Sequence, residues 1–124
     1  MIRRAFLLSL ASLALAPVLG AQEVAPFNAV ALRRAYDALP AAGRKKAQEE
    51  LQIAGLYNGA LDGRYGPGTE RALAAGAGFI AFNSRNTVVP DLLTDAGIAA
   101  FLGALSTGGM AAYLYGEGGE CDSC

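Results

Sequence analysis

Residues 47–73 read AQEELQIAGLYNGALDGRYGPGTERAL, and this stretch decides the fold. Its middle part, LYNGALDGRYGPG at 56–68, contains four Gly residues together with one Asn, one Asp and one Pro. These residue types favour tight turns and interrupt regular secondary structure. Apolar residues recur at helical spacing on both sides of the turn, so the stretch predicts two helices joined by a folded turn.

The same helical spacing elsewhere predicts an all-α chain. A first helix follows Phe27 and ends at Pro40, because proline disfavours a helical conformation in the residue before it. A second helix runs from about 42 to 54 and a third begins near Thr69. A fourth helical segment spans 94–105, with apolar residues at core spacing.

The N-terminal residues 1–21 have the composition of an export signal. Arg3 and Arg4 precede an apolar stretch at 5–16, and Leu19-Gly20-Ala21 ends in small residues that suit cleavage. The apolar stretch is shorter than the roughly 20 residues that a membrane-spanning helix needs. We therefore expect a bacterial protein that is periplasmic or secreted and is not held in a membrane after signal cleavage.

The composition excludes several functional classes. The chain has 124 residues, a net charge of −1, no His and no Trp, with Cys only at 121 and 124. A nucleophile activated by His has no base, and a four-coordinate zinc site lacks imidazole and has too few thiols. The charge balance gives no basic field for nucleic acid. We expect no metal, no cofactor and no nucleic-acid partner.

Residues 106–124 are predicted to form a Gly-rich, acidic, flexible tail with a small apolar island at 110–115. The tail ends in Cys121-Asp122-Ser123-Cys124. In an oxidising compartment we expect a disulfide between Cys121 and Cys124. Metal capture by the two thiolates, or a disulfide to a partner chain, are the alternatives.

The charged run in the second helix has a simple structural interpretation. Arg44, Lys45 and Lys46 are followed four residues on by Gln48, Glu49 and Glu50. Pairs at this spacing stabilise a solvated helix face by a few tenths of a kcal/mol each, about 0.2–0.5. We therefore expect this face to lie in solvent.

The carboxylates do not form a convincing catalytic pair. Glu49 and Glu50 are adjacent on one helix and cannot flank a glycosidic bond. Asp62 and Glu70 lie on either side of the turn, but nothing in the sequence indicates burial that would raise the pKa of one of them. We expect a protein without enzyme activity.

Several motifs of the 47–73 stretch occur together in one known family. They are a helical Gln48, a Gly-Leu-Tyr at 55–57, Asp62-Gly63, an aromatic-Gly-Pro at 65–67 and Thr69. In this combination the chain resembles the peptidoglycan-binding domain-like family. The resemblance implies a small three-helix bundle, here within residues 22–105 and with an additional C-terminal helical segment. It also implies non-covalent attachment to cell-wall peptidoglycan.

The turn supplies side chains that suit this ligand. Two tyrosines offer faces for sugar rings, amide and hydroxyl groups offer hydrogen bonds, and two guanidinium groups offer bidentate pairing with stem-peptide carboxylates. Asp62 has the alternative role of bracing an Asx-turn, and Thr69 that of holding the loop together. The candidate ligand-binding residues are Tyr57, Asn58, Asp62, Arg64, Tyr65, Thr69 and Arg71.

The chain departs from the family pattern in the third helix. Where the family places an aromatic residue and a Gln, this sequence has Gly76 and Ala77. The departure predicts a shifted, shortened or kinked helix beside the binding groove. It also supports an alternative function, a structural module with a degenerate groove that docks a periplasmic protein, for which the island at 110–115 offers apolar surface.

Overall fold

The computed structural model describes residues 24–116 and confirms the all-α fold. Its helices are α1 (Ala29–Asp37), α2 (Ala41–Ile53), α3 (Pro67–Asn83), α4 (Asp95–Ser106) and α5 (Ala111–Leu114). The described residues contain no strand, and a single parallel bridge joins Phe27 to Leu92. The predicted signal at 1–21 and the predicted Cys121–Cys124 disulfide lie outside the described residues.

Local capping chemistry explains where the helices begin. The Asn28 side chain accepts a hydrogen bond of 3.0 Å from the backbone amide three residues on, and thereby starts α1. Thr94 starts α4 in the same way at 3.1 Å. α3 begins at Pro67, slightly before the predicted start at Thr69, because proline at the first helical position has no amide that needs a partner.

One apolar core holds the helices together. α1 and α2 pack on α4, while α3 packs on α2 and α5. Ala111 and Leu114 of α5 are buried, and the Asn83 side chain donates a hydrogen bond to the Tyr113 carbonyl oxygen. Ala111 and Leu114 of the island at 110–115 are therefore packed against the domain, while Ala112 and Tyr115 are exposed. The largest buried apolar side chains are Tyr36, Leu32, Leu51, Leu73, Ile80, Leu92, Ile98, Leu102 and Leu105.

The third helix, which the sequence predicts to be shifted, shortened or kinked, is a single helix of 17 residues. Gly76, which replaces the family's aromatic residue, lies in its buried part. A Cβ atom at this position would be 2.7 Å from Cδ2 of Leu51 in α2. The missing side chain lets α2 and α3 approach closely at this position.

Replacing Gly76 by Ala is expected to destabilise the fold by about 1 kcal/mol. Overpacking a fully buried Leu51 costs about 1–3 kcal/mol, which exceeds the ~1 kcal/mol that alanine contributes to helix propensity. Gly103 in α4 is exposed, and a Cβ atom added there would meet no other atom within 4 Å, so Gly103→Ala should stabilise by about 0.5–1 kcal/mol. Urea denaturation of both variants measures the contrast, and equal stabilisation would contradict it.

Candidate functional site

The turn between α2 and α3 is fixed from inside by the Gln48 side chain. Gln48 is fully buried, and its amide oxygen accepts a hydrogen bond of 2.8 Å from the Gly63 backbone amide. Its amide nitrogen has two hydrogens, shared among four oxygens at 3.1–3.3 Å, which belong to Tyr57, Asp62, Arg64 and Thr69. One side chain thus satisfies backbone and side-chain groups that a turn without regular pairing leaves open.

Asp62 and Gly63 form the sharpest part of the turn. The Asp62 carboxylate accepts a hydrogen bond of 2.9 Å from the Arg64 backbone amide, and this contact holds the pKa of that carboxyl below its usual value. Gly63 has a φ of +76°, a left-handed conformation that side-chain-bearing residues rarely adopt. Asp62 therefore has the contact expected of an Asx-turn.

Arg44 ties the turn to the end of α1. Its Nε donates a hydrogen bond of 3.0 Å to the Gly63 carbonyl oxygen, and its Nη1 donates to the carbonyl oxygens of Asp37 and Leu39. The Tyr36 hydroxyl in turn donates to the Arg44 carbonyl oxygen at 3.1 Å. These bonds connect three successive parts of the chain, so the turn is rigid.

The expectation of a solvated charged face on α2 is wrong for part of the run. Arg44 is held by the turn, and Gln48 and Glu50 are fully buried. The Tyr115 hydroxyl donates to the two Glu50 carboxylate oxygens at 3.0 and 3.2 Å, while Lys46 Nζ lies 3.2 Å from the same carboxylate. The hydrogen bond from Lys46 to Glu50 raises the pKa of Lys46. Tyr115, which directly follows α5, lies against this side of α2. The helical spacing of the sequence did not indicate this contact.

An open cleft of about 450 Å³ lies beside the turn. The structure brings all seven candidate residues together as its lining: Tyr57, Asn58, Asp62, Arg64, Tyr65, Thr69 and Arg71. Glycines at 59, 66 and 68 complete the wall, which leaves backbone exposed to a ligand. The cleft is therefore formed by the turn and by the first turns of α3.

The two tyrosines form a firm aromatic wall. Both rings are half-buried. The Tyr65 ring packs edge-on against Tyr36, with 5.5 Å between ring centroids, and its hydroxyl donates to the Glu70 carboxylate at 2.9 Å. Burial raises the pKa of the Tyr65 phenol, so it stays protonated and acts as a donor. The Tyr57 hydroxyl donates to a carbonyl oxygen of the turn at 2.6 Å. The Arg33 guanidinium lies over the Tyr65 ring, 5.5 Å from its centroid, so this ring keeps only part of its surface for a ligand.

The polar groups of the cleft differ in their solvent exposure and in their contacts within the domain. Thr69 is buried, and its hydroxyl is engaged by Gln48 and the Arg64 carbonyl oxygen. Asn58, Arg64 and Arg71 are exposed. Neither arginine forms a salt bridge with any residue in 24–116. The cleft thus offers two guanidinium groups and one amide to an anionic ligand.

Each carboxylate considered for catalysis already contacts another group of the domain. Glu50 is enclosed by Lys46 and Tyr115, and Asp62 braces the turn. Glu70 accepts from Tyr65, and Glu49 lies 3.7 Å from Lys46 Nζ. Between residues 24 and 116, no group of His, Cys, Asp or Glu is arranged to hold a metal ion.

Gln48 and Arg44 support the cleft but were not among the candidate residues. Their signal in the sequence is positional: Arg44, Gln48 and Leu51 recur at i, i+4 and i+7, on one face of α2. Because Leu51 belongs to the core, this spacing indicates that the two polar side chains also point towards the domain. The interpretation of residues 44–50 as a solvated charged face did not take this spacing into account.

Residues 40–75 match the family model described as Putative peptidoglycan binding domain. This segment is similar to that family. The match contains α2, the whole turn and the first half of α3, and therefore includes Gln48 and every candidate residue of the cleft. No curated protein and no solved structure matches the chain significantly. The family is a binding domain rather than a catalytic one.

Proposed function

We propose that the protein is an exported, non-catalytic module that binds cell-wall peptidoglycan through the cleft beside the α2–α3 turn. The observation that carries this proposal is the assembly of all seven candidate residues in one open cleft, inside the segment that matches the family model. The cleft is supported from beneath by Gln48 and Arg44. Binding to it costs little ordering of the protein, since the turn is already fixed.

The chemistry of the cleft matches both parts of the polymer. The exposed parts of the Tyr57 and Tyr65 rings suit the apolar faces of sugars, and the Asn58 amide suits their hydroxyl and acetamido groups. Arg64 and Arg71 suit the free carboxylates of the stem peptides through bidentate hydrogen bonds. The stem-peptide carboxylates supply negative partners for these two guanidinium groups, which form no salt bridge within residues 24–116.

The proposed location follows from the predicted signal at 1–21 and from the ligand. Peptidoglycan lies outside the bacterial cytoplasm, so a protein that binds it must be exported. Among the helices of residues 24–116, none is long and apolar enough to cross a membrane. We propose a periplasmic or secreted protein.

Sedimentation with purified sacculi at low salt tests the proposal. Arg64→Ala and Arg71→Ala should each weaken binding about tenfold to a hundredfold, because each removes a charged hydrogen-bonding group worth about 1.5–3 kcal/mol. The matched control is Arg34→Ala, since Arg34 is an exposed arginine of α1 outside the cleft. A soluble stem peptide with free carboxylates should compete, and its amidated form should not.

Two results would contradict the proposal. One is a double variant Arg64→Ala/Arg71→Ala that sediments with sacculi as the wild type does. The other is a wild-type protein that stays in the supernatant under the same conditions.

A further inference from the structure

α3 is apolar around its circumference over most of its length. From Ala72 to Phe82 it has no polar side chain in eleven successive residues. A surface helix of a small domain normally carries polar residues on its outer face, whereas a helix that is apolar all round is normally covered. Leu73 and Ile80 face the core, but the Phe82 side chain is 78% exposed. One apolar face of α3 is thus left uncovered by residues 24–116.

This face forms the floor of an open groove of about 1090 Å³. Six residues of α3 line it, and four of them lie at i, i+3, i+4 and i+7: Ala75, Gly78, Phe79 and Phe82. Around them the groove is lined by further exposed apolar side chains, namely Val24, Val89 and Leu93. Leu56 lines both this groove and the cleft, so the two are neighbours.

We propose that the groove is the contact surface of a homodimer, in which α3 of one copy packs antiparallel on α3 of a second copy. The small residues Ala75 and Gly78 come first along the stripe, and the large residues Phe79 and Phe82 follow. An antiparallel arrangement places Phe82 against Ala75 of the second copy and Phe79 against its Gly78. A two-fold axis repeats both contacts, so the surface is complementary to itself.

The charges of the groove also suit an identical partner. Arg85 and Asp91 both line it, so it carries one charge of each sign. Arg85 forms no salt bridge within residues 24–116, and Asp91 is exposed. Two copies meet without net repulsion, and each Arg85 can pair with Asp91 of the other copy. The antiparallel arrangement places the two Arg71 side chains at opposite ends of the α3 pair.

The available area indicates a weak dimer. Burying an aromatic side chain removes about 150–250 Å² from solvent, so the exposed Phe82 and its three aliphatic neighbours offer on the order of 400 Å² per copy. Stable complexes bury about 800 Å² per partner. The exposed side chains of the groove fall below this area, so the interface is smaller than that of a stable complex. We expect a dissociation constant of about 10–100 µM for the dimer.

The dimer leaves the cleft free, because Arg64 and Arg71 do not line the groove. One particle then presents two clefts. If the proposed function holds, the second cleft binds the same repeating polymer as an intramolecular event, which raises the apparent affinity for sacculi about a hundredfold.

Sedimentation velocity of the exported chain, under reducing conditions so that Cys121 and Cys124 cannot join copies, tests the dimer. Between about 1 µM and 1 mM the mean mass should rise from one copy towards two. Phe82→Asp should remain monomeric over this range. Val30→Asp is the matched control: Val30 is 72% exposed on α1 and lies outside the groove, so this variant should dimerise as the wild type does.

A wild-type chain that stays monomeric throughout the range would overturn the dimer, and so would a Phe82→Asp chain that dimerises normally. Coverage of the groove within one copy by residues 1–23 or 117–124 would give the first of these results. Binding of a soluble stem peptide separates the two proposals. Phe82→Asp should bind the stem peptide with the affinity of a single wild-type cleft. A chain that dimerises but does not bind the peptide would contradict the cleft proposal and leave the dimer standing.

Discussion

Gln48→Ala is expected to lower the free energy of unfolding by about 3–4 kcal/mol. The change removes the acceptor of the buried Gly63 amide, and an unsatisfied buried group costs about 1–3 kcal/mol. It also removes the donors shared by four oxygens of the turn and leaves a cavity at a fully buried position. Urea denaturation followed by far-ultraviolet circular dichroism measures the loss.

Two further variants make this prediction specific. Gln52 is exposed on the same helix, so Gln52→Ala should change stability by no more than about 0.5 kcal/mol. Gln48→Glu preserves the shape of the side chain and the oxygen that accepts from the Gly63 amide. It replaces the amide donors by a second carboxylate oxygen and places a negative charge beside Asp62. It should destabilise nearly as much as Gln48→Ala. Near-native stability of Gln48→Glu would show that the donors of Gln48 do not hold the turn.

Tyr36→Ala is expected to destabilise the fold by about 4 kcal/mol, because it empties the position of a fully buried aromatic ring. The Tyr36 ring supports Tyr65 edge-on, so the aromatic wall of the cleft should also become mobile. Tyr36→Phe keeps the ring and loses only the hydrogen bond to the Arg44 carbonyl oxygen, which is worth about 1 kcal/mol. Chemical denaturation of both variants gives the two values.

The stem-peptide affinity of Tyr36→Phe separates packing from binding. The ring that supports Tyr65 is still present, so affinity should stay within about twofold of wild type. A large loss of affinity in Tyr36→Phe, with its stability nearly unchanged, would mean that the hydroxyl and not the ring positions the cleft.

The fold and the cleft were predictable where their determinants are local. The helices follow from the spacing of apolar residues, and the turn follows from its Gly, Asn, Asp and Pro content. The candidate residues lie between 57 and 71, within a single turn and the start of α3. Their grouping in one cleft therefore needed no knowledge of distant contacts.

The features that sequence reasoning missed depend on distant parts of the chain. Glu50 is buried because Tyr115, 65 residues later, reaches its carboxylate. α5 is too short to give a periodic signal, so its packing against α3 was not apparent. The orientation of Gln48 depends on groups up to 21 residues away, although its spacing from Leu51 does indicate an inward face.

A titration of the isotopically labelled chain with a disaccharide-peptide fragment of peptidoglycan tests the central claim most directly. We expect saturable shifts of the backbone amide signals, with the largest at Asn58, Arg64 and Arg71. The shifts should vanish in the folded double variant Arg64→Ala/Arg71→Ala. Shifts confined to the groove around Phe82, or none at a fragment concentration of about 10 mM, would contradict peptidoglycan binding by the cleft.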